Sequence, residues 1–130
     1  MNARAALRDI VHLASDIGPR EATSDNYAEA ATFVHARFER LGYDVRRTKV
    51  PVPSGISWGT PVRRGTSLNI IAEPSGFDPM QPHVVIGAHL DTVPVAPGAE
   101  DNASGIAVML QLAAMVRQQP AALPVQFIAF

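Results

Sequence analysis

The sequence contains no cysteine among its 130 residues. Disulfide bonds and thiolate metal sites are therefore excluded. It also lacks any uninterrupted apolar stretch close to the ~20 residues that span a bilayer. The N-terminus, MNARAALRDIVHLASDIGPR, has no apolar core of the kind that signal peptides carry. We therefore expect a cytoplasmic location.

An excess of positive or negative charge is also missing. Eleven basic and twelve acidic residues give a net charge of −1, and the basic residues are scattered, with only Arg46, Arg47 and Lys49, and then Arg63 and Arg64, close together. Such a balance gives no reason to expect nucleic acid or a membrane as a partner. The chain has no internal repeat, and its length suits one domain with a real core.

Apolar periodicity and turn residues predict two helices and two strands in the first half of the chain. Ser24 is placed to cap the second helix, and Gly42 to end it. A loop rich in proline and glycine separates the two strands, which we expect to form an antiparallel pair. The predicted elements are helices over residues 3–16 and 24–41 and strands over residues 43–52 and 66–73.

The apolar patterns in the second half of the chain predict a buried strand, a buried helix and another strand. Residues 83–89 form a continuous apolar run, which is typical of a strand covered on both faces. The helix predicted over residues 102–117 is apolar nearly all round and should be buried nearly all round. A strand follows over residues 125–130, and this order predicts a parallel pair with a right-handed crossover. The expected fold is α/β, a three-layer α/β/α arrangement with a mixed, largely parallel sheet.

The C-terminal end of the sequence is unusual, because the chain stops at Phe130 inside an apolar strand. Natural termini usually lie at the surface, and a helix buried on all sides needs more partners than 130 residues readily provide. We therefore expect residues 1–130 to be a single domain that is truncated after the strand 125–130.

Acidic residues gather between the buried strand and the buried helix, in GAHLDTVPVAPGAEDNASG (residues 87–105). Ligands of open α/β sheets bind beyond the carboxyl ends of the strands. His89 and Asp91 lie at such an end, and Asp101 lies where the helix starts. Because the intervening loop contains prolines and a glycine, it can fold back and bring His89 and Asp101 together.

An imidazole and a carboxylate form a site that suits zinc better than calcium or magnesium. Asp91 is placed to accept a hydrogen bond from the other ring nitrogen of His89. The alternative is a plain α/β domain in which Asp101 or Asn102 only caps the helix, the commonest role for these residues. The metal hypothesis is stronger because two buried elements deliver acids to one place, where desolvation would exclude them without a function.

The other histidines do not substitute for His89. His12 and His35 lie on the early helices, where a role in packing or at the surface is expected. His83 begins the strand that ends near His89, about 20 Å away at ~3.3 Å per residue.

The segments GAHLDTVP and PGAEDNASGIAVMLQLA resemble the co-catalytic di-zinc aminopeptidase family, which includes bacterial leucyl aminopeptidases and glutamate-carboxypeptidase-like enzymes. The likeness extends over the whole chain, from IGPREATSDNYAEAATFVHARFERLGYDV to TSLNIIAEPSG. By position, His89 matches a zinc ligand and Asp101 the carboxylate that bridges two zinc ions. Asp91 matches the catalytic-site aspartate that orients the histidine. The resemblance also implies a cis peptide bond between Asp101 and Asn102.

The function that this resemblance implies is a zinc-dependent exopeptidase that hydrolyses N-terminal residues of peptides through a metal-activated water. The family pattern continues after the strand matching VQFIAF with a Glu-Glu pair, and later with an aspartate and a second histidine. The 130 residues contain none of these, so we expect them to be inactive by themselves. The sequence indicates neither the substrate-binding residues nor the oligomeric state.

Two other families share part of the pattern. AHLDTVP also resembles the related carboxypeptidases and deacylases, in which the bridging aspartate comes much later, whereas Asp101 follows early in DNASG. The aminopeptidase fold also serves aminoacyl cyclases and non-catalytic binding domains such as receptor ectodomains. A receptor would tend to lose His89, Asp91 and Asp101, so that alternative is weaker, whereas a cyclase stays open.

Overall fold

One layer of helices packs on a sheet in the computed structural model, which describes residues 1–130. π-helical turns follow the first helix, at His12–Ile17, and precede the last one, at Ala99–Ala103. None of the helices combines the length and the apolar character that crossing a bilayer requires. The helices are α1 (Ala3–Val11), α2 (Asp25–Arg40) and α3 (Ser104–Gln118), and the strands are β1 (Asp44–Val52), β2 (Gly55–Ser57), β3 (Thr60–Val62), β4 (Gly65–Glu73), β5 (Val84–Ala88) and β6 (Val125–Ala129).

The main sheet has the strand order β1-β4-β6-β5. The antiparallel pairing of β1 with β4 and the parallel pairing of β5 with β6 are confirmed. Strand β4 also pairs antiparallel with β6, so the sheet is mixed, as expected. Parallel pairing does not predominate, however, because β1 and β4 belong to one long hairpin whose second strand also runs opposite to β6.

A small hairpin, β2 and β3, lies in the segment that we expected to be a loop. Its turn places Trp58 and Gly59 at φ values of 49° and 76°. Positive φ at both central residues is the turn geometry that matches the twist of two-residue hairpins. Pro53 before the hairpin and Pro61 within β3 hid these short strands, because proline in a run argues against a strand.

Helix α2 begins and packs as its sequence predicted. The Ser24 side chain accepts a hydrogen bond from the backbone N–H of Tyr27 (3.1 Å), and thus bonds one of the donors that a helix start leaves free. Phe38 lies in the centre of the core, with its ring centroid 6.0 Å from that of Tyr43 and 5.9 Å from that of Phe127. The buried side of α2 comprises Tyr27, Ala30, Ala31, Val34 and Phe38.

The helices of this chain cover one face of the sheet. Alternate strand residues, including Ile70 and Ala72 of β4 and Phe127 and Ala129 of β6, join the helices in one core cluster. The α/β class with a mixed sheet is therefore confirmed. The second helix layer of the expected three-layer arrangement is not formed by these 130 residues.

Two burial predictions are wrong within this chain for the same reason. Helix α3 exposes Val108 and Met115, and strand β5 exposes Val84 and Val85. Continuous apolar patterns predicted coverage on all sides, but only one side of each element has a partner here.

A buried ion pair joins α1 to α2. Asp9 is only 3% exposed, and its Oδ1 accepts a hydrogen bond from Arg37 Nη1 (2.7 Å), whereas its Oδ2 is buried without a partner. Burial raises the pKa of Asp9, and the positive charges of Arg37 and Arg8 oppose that rise. The cost of burying the charge outweighs the attraction of the nearby cations.

The substitution Asp9→Asn is expected to remove one component of the pH dependence of stability. The pKa of Asp9 is raised in the folded state from its ordinary value of 3.8, so protonation favours folding. Its contribution is fully present below that value and is lost as the pH rises through the folded pKa. Urea unfolding across this range should show the variant gaining stability relative to the wild type as the pH rises. If the stability of the variant relative to the wild type stays constant or falls as the pH rises, this expectation is wrong. Asp44→Asn controls for loss of an exposed aspartate.

Candidate metal centre at the end of strand β5

His89 and Asp91 follow directly after strand β5. The pairing with β6 continues past the strand, because Phe130 N–H donates to Ala88 O (3.2 Å) and Leu90 N–H donates to Phe130 O (2.5 Å). Leu90 is buried in the core. Backbone pairing and this buried side chain therefore fix the main chain on both sides of His89.

Asp101 lies in the π-helical turn before α3. Asp101 and Asn102 have non-helical backbone angles, and the peptide bond between them is cis, as the family resemblance implied. Helix α3 begins at Ser104 rather than at Asn102. The Asn102 side chain accepts the N–H of Gly105 (3.0 Å), so it is Asn102 that caps the helix. The Asp101 side chain is 86% exposed.

The folded loop brings the three predicted site residues together. His89 Nε2 lies 2.9 Å from Asp101 Oδ1. On the other side of the ring, His89 Nδ1 lies 3.1 Å from Asp91 Oδ1 and 3.2 Å from the Asp91 carbonyl oxygen. The convergence expected from the sequence is therefore present in the structure, with His89 between two carboxylates.

This arrangement favours a positive charge beside His89 Nε2. A neutral imidazole carries one N–H, and Asp91 provides two acceptors for it at Nδ1. The lone pair of Nε2 then faces a carboxylate oxygen of Asp101, which is repulsive unless a cation that interacts with both atoms offsets it. A proton on the ring or a metal ion can supply that charge.

The donor set suits a transition metal such as zinc. Imidazole nitrogen and carboxylate oxygen are ordinary zinc ligands, and the second oxygen of Asp101 has no partner within the chain. No three His, Cys, Asp or Glu residues cluster as a metal site, so the chain supplies two donors. The remaining histidines bond elsewhere, His12 to Asp16, His35 to Glu39 and Arg47, and His83 to Gln81.

A groove with apolar walls lies beside Asp91. Its lining includes Val50 and Val52 of β1, Phe130 and the ring of Tyr27. Burial raises the pKa of Tyr27, and the negative charge of Asp91 acts in the same direction. The groove is the depression nearest to the candidate site, and it offers apolar surface directly next to Asp91.

Arg20 belongs to the surroundings of the site, although no sequence pattern indicated this. It is completely buried beneath residues 90–98, here called the site loop, and donates hydrogen bonds to the carbonyl oxygens of Leu90, Pro97 and Gly98. Burial lowers the pKa of Arg20, and the charge of Asp91 opposes that effect. An arginine after Gly-Pro reads as part of an exposed turn, so no pattern indicated its burial.

Comparison with known proteins supports a peptidase family. Residues 69–130 match the family model "Peptidase family M28". The uncharacterized protein YfbL of Escherichia coli is 31% identical over 132 residues, covering 95% of this chain and 37% of that protein. The aminopeptidase YwaD of Bacillus subtilis is 42% identical over 66 residues, covering 50% of this chain and 14% of that protein.

Solved structures share the fold. The zinc aminopeptidase BSAP from Bacillus subtilis superposes with a TM-score of 0.84 at 18% identity, covering 99% of this chain and 61% of that one. The glutaminyl cyclase of Fimbriiglobus ruber superposes with a TM-score of 0.79 at 23% identity, covering 99% of this chain and 45% of that one. The chain thus spans less than two thirds of the length of these relatives.

The substitution Gly98→Ala is expected to destabilise the site loop. Gly98 has φ +60°, and a Cβ there would overlap the Thr92 side chain and the Asp101 carbonyl oxygen. Gly76→Ala is the matched control, because Gly76 has φ +75° and open space around it. The control should lose about 1–2 kcal/mol in urea unfolding, and Gly98→Ala about 1–3 kcal/mol more through overpacking. Equal losses would show that the loop has room for a side chain.

Proposed function

We propose that the chain, which matches the peptidase family M28 model over residues 69–130 and is similar to known aminopeptidases, carries part of the active site of a zinc-dependent exopeptidase. The proposed reaction is hydrolysis of N-terminal residues from peptides. Because the chain spans 37% of YfbL and 14% of YwaD, this activity is proposed for the complete protein as its gene encodes it.

The position of His89 between two carboxylates is the observation that carries this proposal. Nε2 faces Asp101 at 2.9 Å, and Nδ1 faces Asp91 at 3.1 Å. A histidine metal ligand commonly donates its other ring N–H to a carboxylate or carbonyl, which fixes the ring and raises its basicity. We therefore assign His89 and Asp101 as metal ligands and Asp91 as the group that orients His89.

Each of these side chains has a separate task in the proposed site. Asp91 holds a proton at His89 Nδ1 and so keeps the lone pair of Nε2 available. Asp101 turns one oxygen towards His89 and leaves its second oxygen without a partner, which fits the expectation of two zinc ions. When bound, zinc would polarise a substrate carbonyl and lower the pKa of a water molecule.

The general base of the proposed reaction must be another group. Asp91 and Asp101 both face His89, so neither is free to take a proton from water. We expect this base in the Glu-Glu pair that the family pattern carries after a strand matching β6. The groove beside Asp91 is the surface along which we propose that the peptide lies.

Aminoacyl cyclisation is the second candidate function. Bacterial glutaminyl cyclases share the fold with TM-scores of 0.77 to 0.81, so the fold is compatible with both reactions. Hydrolysis of leucine p-nitroanilide to leucine and p-nitroaniline and ring closure of an N-terminal glutamine with loss of ammonia are distinct reactions, and the complete protein can be assayed for each. Predominant cyclisation would replace the peptidase proposal.

The remaining expectations concern location and partners. The peptide substrate is the proposed partner of the site. The cytoplasmic location expected above, and the lack of nucleic-acid and membrane partners expected from the charge balance of the sequence, stay predictions.

The substitutions His89→Ala and Asp101→Asn should abolish tight zinc binding by the complete protein, because each removes a ligand. Bound zinc, measured after dialysis, and the hydrolysis of leucine p-nitroanilide should fall by more than the ~10–100-fold typical of outer partners. His83→Ala is the matched control, since His83 precedes the same strand at its other end and bonds only Gln81 O. If His89→Ala retains zinc as firmly as His83→Ala does, the metal assignment is wrong.

The substitution Asp91→Asn should leave the zinc ligands in place but weaken zinc binding about 10–100-fold. Asparagine retains an acceptor for the ring N–H of His89 but removes the negative charge that raises the basicity of the ring. Competition with a chromophoric chelator measures the affinity. A loss as complete as that of Asp101→Asn would make Asp91 a ligand instead.

A further inference from the structure

Arg20 makes an unusual set of hydrogen bonds for a buried arginine. It is 0% exposed, and no carboxylate lies within ion-pair distance of its guanidinium. All five of its side-chain hydrogen bonds go to backbone carbonyl oxygens. They run from Nε to Leu90 (3.1 Å), from Nη1 to Leu13 (2.6 Å), Gly18 (2.8 Å) and Pro97 (2.8 Å), and from Nη2 to Gly98 (3.2 Å).

Three of these acceptors lie at the two ends of the site loop. Leu90 lies between His89 and Asp91, whereas Pro97 and Gly98 directly precede the turn that contains Asp101. One planar group therefore bonds the backbone next to one proposed zinc ligand and the backbone leading to the other.

The other two acceptors fix the guanidinium to the first helical region. Leu13 and Gly18 lie in and after the π-helical turn that follows α1. Carbonyl groups at a helix C-terminus carry partial negative charge and favour a cation, and Leu13 O also accepts the N–H of Gly18 (3.1 Å). Arg20 thus bonds the end of the first helical region and the site loop at the same time.

The backbone of Arg20 reinforces the same connection. Its N–H donates to Thr92 Oγ1 (2.7 Å), and its carbonyl oxygen accepts the N–H of Thr92 (3.0 Å). Thr92 lies in the site loop and is itself buried. Side chain and main chain of Arg20 therefore bond the loop at both ends and within it.

Packing alone does not account for an arginine at this position. Burying a charge is costly unless it is fully hydrogen-bonded, and apolar residues often replace buried ions without loss of stability. The inward-facing carbonyls of the site loop need donors that an apolar side chain lacks. A guanidinium is suited to this task because its five N–H groups point outward in one rigid plane.

We propose that Arg20 is a positioning residue of the zinc site, which bonds both ends of the site loop and so holds His89 and Asp101 at metal-binding distance. The proposal rests on the proposed function for the zinc it invokes. The positioning itself is a property of the chain and can be measured without metal.

The first test compares two arginine-to-lysine substitutions in the complete protein. Arg20→Lys keeps the positive charge, but one ammonium group cannot bond both ends of the loop. We expect its zinc dissociation constant, measured by chelator competition, to rise about 10–100-fold. Arg37→Lys is the matched control, because Arg37 bonds Asp9 of α1 and makes no hydrogen bond to the site loop. Its zinc dissociation constant should stay unchanged.

The second readout is amide hydrogen exchange in the zinc-free protein. Amides of residues 89–103 should exchange faster in Arg20→Lys than in the wild type and in Arg37→Lys. Unchanged zinc affinity and unchanged exchange in Arg20→Lys would overturn the proposal. Equal effects of both substitutions on the site would also overturn it, because they would reflect general stability. A wild-type protein that binds no zinc would end the proposed function, while the exchange comparison would still decide on positioning.

Thr92→Val provides a test if Arg20→Lys does not fold. Valine matches threonine in shape but cannot accept the N–H of Arg20. Valine also removes the hydrogen bond from Thr92 Oγ1 to Val93 O (3.0 Å). Loss of these two bonds should raise the zinc dissociation constant about 2–10-fold, and Thr92→Ser should restore it. Wild-type affinity and exchange in Thr92→Val would contradict the proposal.

Discussion

The site loop folds inward around one buried cation, and the rest of the site depends on that interaction. Carbonyl groups that leave water need hydrogen-bond donors, and Arg20 supplies them to Leu90, Pro97 and Gly98. Without Arg20 the carbonyls of Leu90 and Pro97 would lose this donor, whereas Gly98 O also accepts the N–H of Ala103 (3.0 Å). The backbone that leads to Asp101 would then lose the hydrogen bonds from Arg20 that hold it close to the end of β5.

A second constraint is electrostatic, and it explains why acids gather at the boundary between a strand and a helix. The His89 ring lies between two carboxylates. Its Nδ1 faces Asp91, which can accept the ring N–H, and its Nε2 faces Asp101, where a cation is favoured. The capping role that aspartate before a helix often has is taken by Asn102. Asp101 is thereby left free to face the ring.

The parts of the fold predicted from the sequence are those that local chemistry determines. The Ser24 cap depends on neighbouring residues, and the strand pairings depend on apolar patterns and turns. The burial of Arg20 was not predictable in this way, because three of its five acceptors, Leu90, Pro97 and Gly98, are distant in sequence and reach it only after folding. The exposure of Val85 and Val108 was mispredicted. An apolar pattern indicates that a face favours burial, but not whether residues 1–130 supply the surface that covers it.

Fold and site contribute different parts of the functional argument. Zinc aminopeptidases and glutaminyl cyclases both share this fold, and a fold can host several chemistries. In the proposed site, the His89–Asp101 pair would constrain the metal, because its donors and its charge requirement do not change with the reaction. The surface next to that pair would then select the substrate. The apolar groove beside Asp91 is therefore the part of this chain on which a preference between peptide substrates would depend.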